Sequence, residues 1–183
     1  ISYYAMSQWR VERSDPPSLK AIVPWGGGAD AYRDTAYPGG MMSIDFLAIW
    51  YSRLVSDHHH TDSQQHSGNY GSENALYHWT NNTLDNSYWR SRSADLEAIQ
   101  VPFLSGMSWL DVGAGHLRGN TEAFKRAPAK HKQLLLTSGS YFISYYGEAG
   151  FQAQVKWLNY WLKGDDNGLL QDPPVTIGVR RRI

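Results

Sequence analysis

The opening of the chain constrains its fold most, because one short stretch holds a helix, a stop signal and a strand. Residues 4 to 13 have a helical pattern, and Asp15-Pro16-Pro17 ends it, since proline cannot continue a helix. The run from Lys20 to Trp25 is short and almost wholly apolar, which is typical of a parallel strand covered on both faces. Gly26-Gly27-Gly28 ends that strand. This order of elements indicates an α/β protein.

Ser2 immediately precedes the predicted helix, where a strand would turn sharply into it. A serine on such a turn exposes its Oγ at the head of the helix, beside free N–H groups and partial positive charge that stabilise an oxyanion. Ser2 is therefore a candidate nucleophile, and the backbone N–H of Tyr3 is a candidate oxyanion donor. The pattern alone also fits an ordinary serine at the end of a strand.

Composition excludes several classes of function. The 183 residues are enough for one domain with a core, and their formal net charge is zero. The one basic run is Arg180-Arg181-Arg182, so we expect neither nucleic acid nor a membrane surface as a partner. No apolar run is long enough to span a bilayer. The absence of cysteine excludes a disulfide and a thiol nucleophile, and it leaves the compartment open.

A polar tract from residue 56 to residue 72 contains a cluster of histidines and aspartates that invites a metal interpretation. Metal ligands must converge at a defined geometry, whereas consecutive histidines point in different directions. We therefore interpret the tract as a solvated loop and expect neither a metal nor a cofactor. The cluster consists of Asp57, His58, His59, His60, Asp62 and His66.

Several longer motifs follow one another in a fixed order along the chain. They are the stretches 2–9 and 16–25, Asp30-Ala31-Tyr32-Arg33-Asp34, Tyr37-Pro38-Gly39-Gly40, Trp109-Leu110-Asp111, His116-Leu117-Arg118-Gly119-Asn120 and the stretch 161–168. Together they resemble the CocE/NonD family of acyl hydrolases, which is of the cocaine esterase and Xaa-Pro dipeptidyl-peptidase type. The resemblance covers nearly the whole chain and is weakest between residues 43 and 95.

The resemblance implies an α/β-hydrolase, of which this chain would be a fragment that starts at the nucleophile elbow and contains the C-terminal half of the parallel sheet. We expect the elbow, its helix and a first strand in residues 1–28. A mostly helical cap is expected in residues 29–98, and the rest of the core in residues 99–170. Residues 171–183 would begin a C-terminal jelly-roll domain.

Sequence patterns predict the elements inside these divisions. Further strands are expected over Val101–Met107 and Lys132–Thr137. Helices are expected after the capping residue Asp30, over Ile44–Leu54, around Glu73–Trp79, over Thr121–Arg126 and over Glu148–Lys163. In the last helix, Phe151, Val155, Leu158 and Leu162 recur at a helical spacing, and the helix would end at Gly164.

A Ser-His-Asp triad is what the resemblance implies for the site. Ser2 would attack, and Asp111, after the second strand, would orient the base. The family's histidine falls near Tyr141, and residues 132 to 183 contain no histidine. Tyrosine is a poor base at neutral pH, because its phenol ordinarily ionises near pH ~10. His116 is the nearest substitute.

Three explanations for the missing histidine stay open: a branch without activity, a rearranged site that uses His116, or an error in the sequence. A second departure is Gly26, where the family usually has an acidic residue. Trp25 and Tyr141 are candidate pocket residues.

The sequence thus predicts a serine hydrolase that cleaves a small-molecule ester or a peptide through an acyl-enzyme, without a cofactor. The alternative is a catalytically impaired relative that binds a ligand or partner. Missing parts of the same polypeptide, or further copies of the chain, are possible partners.

Overall fold

The computed structural model describes residues 1–11, 14, 16–50, 75–109 and 115–179. Its α-helices are α1 (Tyr3–Val11), α2 (Ile44–Phe46), α3 (Ala75–Asn81), α4 (Ser87–Arg90), α5 (His116–Arg126), α6 (Tyr141–Tyr146) and α7 (Glu148–Leu158). Shorter turns of 3-10 helix span Pro38–Gly40, Leu96–Ala98 and Leu169–Gln171, and π-helical turns span Ala31–Ala36 and Asn159–Lys163. The strands are β1 (Phe103–Ser108), β2 (Lys132–Thr137) and β3 (Val175–Ile177). None of the described helices combines the length and apolar character that a bilayer span requires.

The three strands form one parallel sheet in the order β1-β2-β3. Helix α5 connects β1 to β2, and helices α6 and α7 connect β2 to β3. Every residue of β1 is buried, as expected of a parallel strand with both faces covered. The predicted α/β fold is confirmed, and so are strands β1 and β2. The pairing of β3 with β2 was not predicted, and the division into domains stays a prediction.

The segment from Lys20 to Trp25 is not the regular strand that the sequence predicts. It pairs in parallel with β1 through two separate bridges, at Ile22 and at Trp25. Between them stands Pro24, which has no N–H to donate, so the ladder breaks there. The carbonyl of Pro24 still accepts a bond from Gly106 N at 3.3 Å. The segment therefore keeps the position of an edge strand without its full hydrogen bonding.

Helix α5 begins at His116, earlier than the prediction of a helix over Thr121–Arg126. Gly119 and Asn120 are poor helix formers, so the sequence pattern did not predict a helix over the first turn. Both have reasons in the packing. A Cβ at Gly119 would overlap the carbonyl of Gly27. The side chain of Asn120 is fully buried, and its Oδ1 accepts a hydrogen bond from Ser105.

The predicted last helix is present, but the apolar residues at the two ends of its periodic pattern are exposed. Phe151 is 53% exposed and Leu162 is 59% exposed, whereas Trp157 lies in the core. The α-helix ends at Leu158 and continues as the π-helical turn, whose wider spacing breaks the predicted period. Gly164 ends the helical stretch in the left-handed conformation, as predicted.

The cap region begins as the sequence predicts. The side chain of Asp30 accepts bonds from the backbone N–H groups of Tyr32 and Arg33 and caps the helical turn that follows. A bond from Ala94 N to Ala29 O, 2.7 Å long, joins the two ends of the region. Its described core consists of Ala36, Tyr37, Leu47, Trp79 and Trp89.

The other cap predictions are met in part. Helical backbone runs from residue 44 to residue 50, and α3 (Ala75–Asn81) lies where a helix was predicted around Glu73–Trp79. The remainder of the helix predicted over Ile44–Leu54 lies outside the described residues, as does the histidine cluster between residues 57 and 66.

The close approach at Gly119 predicts the sign of a substitution. Helix propensity alone would make Gly119→Ala stabilising by about 1 kcal/mol. We expect the opposite, a loss of about 1–3 kcal/mol, because the methyl group would meet backbone atoms that cannot move aside. Thermal unfolding of this variant, with the exposed Lys125→Ala on the same helix as control, measures the difference. A raised melting temperature for Gly119→Ala would contradict the packing described here.

A second prediction concerns acid stability. The hydrogen bond from Arg126 to Glu97 lowers the pKa of the Glu97 carboxyl in the folded protein. The stabilisation is therefore present above the pKa that the carboxyl has in the unfolded chain, and it is lost in acid as pH falls through the lowered pKa of the folded state. Glu97→Gln should flatten the pH dependence of the melting temperature in that range by a small amount, since the pair is exposed. If Glu97→Gln showed the same pH dependence of the melting temperature as the unmodified protein, the Arg126–Glu97 bond would make no contribution to acid stability.

Candidate active site

Ser2 has the backbone of a nucleophile on a tight turn. Its φ is 55°, and among the described residues it is the one non-glycine residue in the left-handed region. Its N–H donates to the carbonyl of Trp25 at 3.0 Å, and its own carbonyl accepts from Ala5 N and Met6 N. Ser2 thus caps helix α1 at the edge of the sheet. A serine with a positive φ directly before a helix is typical of the strained turn that exposes a nucleophilic hydroxyl.

His116 lies beside Ser2. The distance from Ser2 Oγ to His116 Nε2 is 3.2 Å, and both side chains are partly buried. When the imidazole carries its proton on Nδ1, the hydroxyl of Ser2 donates to Nε2. That arrangement lets the imidazole accept the proton when the serine oxygen attacks.

Two buried polar residues fix the backbone of His116. The amide Nδ2 of Asn120 donates to the carbonyl of His116 at 2.5 Å. The Asn120 Oδ1 in turn accepts a bond from Ser105 Oγ, 2.9 Å away on strand β1. Both Asn120 and Ser105 are fully buried. These bonds tie the first turn of α5 to the centre of the sheet.

Neither Asn120 nor Ser105 was identified from the sequence. Signals for both exist: Asn120 follows His116 by one helical turn, and Ser105 is a polar residue inside an apolar strand.

Tyr141 packs against the imidazole of His116. Their ring centroids are 5.5 Å apart with the planes inclined by 32°. Tyr141 is the first residue of α6, directly after β2, where the family's histidine was expected. Gly26 lies next to this ring, since a Cβ there would be in van der Waals contact with a ring carbon of Tyr141, 3.5 Å away. Gly26 and Tyr141, the two residues that differ from the family pattern, are therefore neighbours in the structure.

Trp25, a predicted pocket residue, lies in the core of the described chain. Its ring is completely buried, packs against Gly106 and donates from Nε1 to Ser144 Oγ at 3.3 Å. The reason is the direction of the chain: the carbonyl of Trp25 reaches Ser2, and the side chain points into the core.

The remaining predicted site residues are Tyr3 and Asp111. Tyr3 is the first residue of α1, a position whose backbone N–H has no acceptor within its own helix. Asp111 lies outside the described residues. No group of metal-ligating side chains occurs among the residues that the structure describes.

A cleft of about 410 Å³ runs along α1 next to the turn that holds Ser2. Its walls include Tyr3, Met6, Arg10 and Arg92, but neither Ser2 nor His116. The cleft is therefore a neighbour of the Ser2–His116 pair and is not lined by it.

Known proteins share this architecture. Residues 1–142 match the family of X-Pro dipeptidyl-peptidase (S15 family). Cocaine esterase from Rhodococcus sp. (strain MB1 Bresler) is 41% identical over 51 residues, which are 27% of this chain and 9% of the esterase.

Two crystal structures of a CocE/NonD family hydrolase from Staphylococcus aureus superpose with TM-scores of 0.84 and 0.87 at 30% identity. They cover 98% of this chain, which itself spans 31% of that protein. The resemblance to CocE/NonD hydrolases is thereby confirmed, and the chain belongs to the X-Pro dipeptidyl-peptidase (S15) family.

Proposed function

We propose that the protein is a serine hydrolase of the esterase or peptidase type, in which Ser2 is the nucleophile and His116 is the general base. The observation that carries the proposal is the distance of 3.2 Å between Ser2 Oγ and His116 Nε2. The positive φ of Ser2 and the membership of a hydrolase family support it.

The reaction follows from these positions. Ser2 Oγ attacks the carbonyl carbon of an ester or amide while His116 Nε2 takes the hydroxyl proton. The carbonyl oxygen becomes an oxyanion, which the N–H of Tyr3 at the head of α1 stabilises. His116 then returns the proton to the leaving group as the bond to it breaks, and the acyl-enzyme remains. Water, deprotonated by the same imidazole, releases the acid and restores Ser2.

Asp111 is proposed as the group that orients the imidazole. It lies between β1 and α5, in the same connection that leads to His116. A carboxylate there would hold the proton on Nδ1 and stabilise the imidazolium.

The substrate class follows from the relatives. The names of the matched proteins indicate an ester, for cocaine esterase, and a peptide, for X-Pro dipeptidyl-peptidase. We propose a small-molecule ester or peptide for this protein. Its zero net charge offers nothing that would attract nucleic acid or an anionic membrane.

A fluorophosphonate probe tests the roles of both residues in the full-length protein. We expect the probe to label Ser2, Ser2→Ala to abolish labelling, and His116→Ala to slow it by at least about a thousand-fold, since the hydroxyl would lose its proton acceptor. His131→Ala is the matched control, because His131 packs against Trp161 away from this pair, and it should label at the normal rate. Labelling that His116→Ala leaves unchanged would contradict the proposed base.

Tyr141 separates this proposal from that of a catalytically impaired relative. If His116 is the base, Tyr141→Phe should keep the labelling rate within a few-fold, because the ring that contacts the imidazole is retained. Tyr141→His should bring no gain. In an impaired relative, the unmodified protein would stay unlabelled, and Tyr141→His would restore labelling by supplying the family's histidine.

A further inference from the structure

We propose that the ion pair between Asp34 and Arg118 is a positioning device that holds His116 against Ser2. Neither residue touches the reacting atoms, so both would be positioning residues. The inference rests on the proposed function, because it concerns the same Ser2–His116 pair.

The carboxylate of Asp34 is the buried centre of this device. Asp34 is 1% exposed. Its Oδ2 accepts bonds from Ala29 N at 2.7 Å and from Asp30 N at 2.8 Å. Its Oδ1 accepts a bond from Arg118 Nη1 at 2.7 Å. Charge-assisted bonds of this length are stronger than neutral ones, and together they fix the orientation of the carboxylate.

On one side, the carboxylate binds the helix that carries His116. Arg118 stands two residues after His116 in the first turn of α5. The backbone before this turn also touches the same segment, since a Cβ on Gly115 would overlap the carbonyl of Asp34. The start of α5 is thus held against Asp34 by a side-chain bond and by direct backbone contact.

On the other side, the carboxylate binds the segment that supports Ser2. Ala29 and Asp30 follow the glycine turn after Trp25, and the carbonyl of Trp25 accepts the bond from Ser2 N. Asp34 therefore joins the two structural units whose relative position sets the distance between nucleophile and base. A misplacement of about 1 Å between reacting groups can cost about a hundred-fold in rate.

A role in stability alone would predict a different result. Buried ion pairs are weak sources of net stability but demand a defined geometry. Loss of positioning lowers kcat and leaves KM nearly unchanged, since the bound substrate keeps its contacts. Loss of stability lowers the melting temperature and leaves the kinetics of the remaining folded protein normal.

Asp34→Asn is the central variant, measured in the full-length protein. The amide oxygen can still accept from Ala29 and Asp30, but its NH2 group meets the donor of Arg118, so one bond is broken selectively. We expect kcat and the rate of Ser2 labelling to fall by about 10- to 100-fold, with KM within about three-fold. Arg118→Lys, which can still donate one charged bond, should retain more activity than Arg118→Met.

The matched control is an ion pair at the opposite end of the same helix. Arg126 donates from Nε and Nη2 to the carboxylate of Glu97 at 2.8 and 2.9 Å. Arg126→Met should lower the melting temperature and leave kcat unchanged, because it loosens α5 far from His116.

Four outcomes decide the inference. Reduced kcat in Asp34→Asn, normal kcat in Arg126→Met and recovery in Arg118→Lys support it. Normal kcat in Asp34→Asn overturns it, and so does an equal loss of kcat in Arg126→Met at a matched melting temperature. If Asp34→Asn does not fold, Arg118→Met, which removes the bond to Asp34 at a partly exposed position, decides alone: wild-type kcat in that variant overturns the inference. Failure of the proposed function is distinct, since wild-type Ser2 would then not be labelled at all.

Discussion

The contact between the first turn of α5 and the backbone at residues 27–29 governs the rest of the structure. Gly119 lets the helix approach until a Cβ would overlap the carbonyl of Gly27 and lie 2.5 Å from Ala29 N. Such an approach fixes the height of the helix above the sheet more firmly than side chains would, because backbone atoms cannot adjust their shape. The position of His116, three residues before Gly119, follows from it.

Several irregular residues lie around the Ser2–His116 pair. Pro24 breaks the ladder between the segment Lys20–Trp25 and β1, yet the carbonyls of Ile22 and of Pro24 itself still accept bonds from β1. Gly26 turns the chain at a φ of 63° and lies next to the Tyr141 ring. The ring in turn covers the imidazole of His116. A tyrosine at the position of the family's histidine is therefore compatible with an ordered histidine at another position.

Local sequence patterns predicted most helices and strands. The start of α5 and the proximity of Ser2 and His116 depend on long-range packing, which those patterns do not contain. Helix α1, strands β1 and β2, the cap at Asp30 and the end at Gly164 all follow from short-range rules. The start of α5 was not predicted, because Gly119 and Asn120 disfavour a helix locally and are required by contacts with distant segments. Ser2 was identifiable from its place before a helix, and His116 from its place near Asp111. Their proximity, however, depends on the register between the edge segment and β1, which no local pattern encodes.

The central claim is that His116 is the base of Ser2, and a crystal structure of the full-length protein after reaction with a phosphonate inhibitor tests it most directly. If His116 is the base, phosphorus should be bonded to Ser2 Oγ, and His116 Nε2 should lie within hydrogen-bonding distance of that oxygen. The Asp34–Arg118 bond should be intact, and the same density would show whether Asp111 reaches the imidazole. An adduct on another serine, or a different histidine beside Ser2 in the complete protein, would contradict the claim.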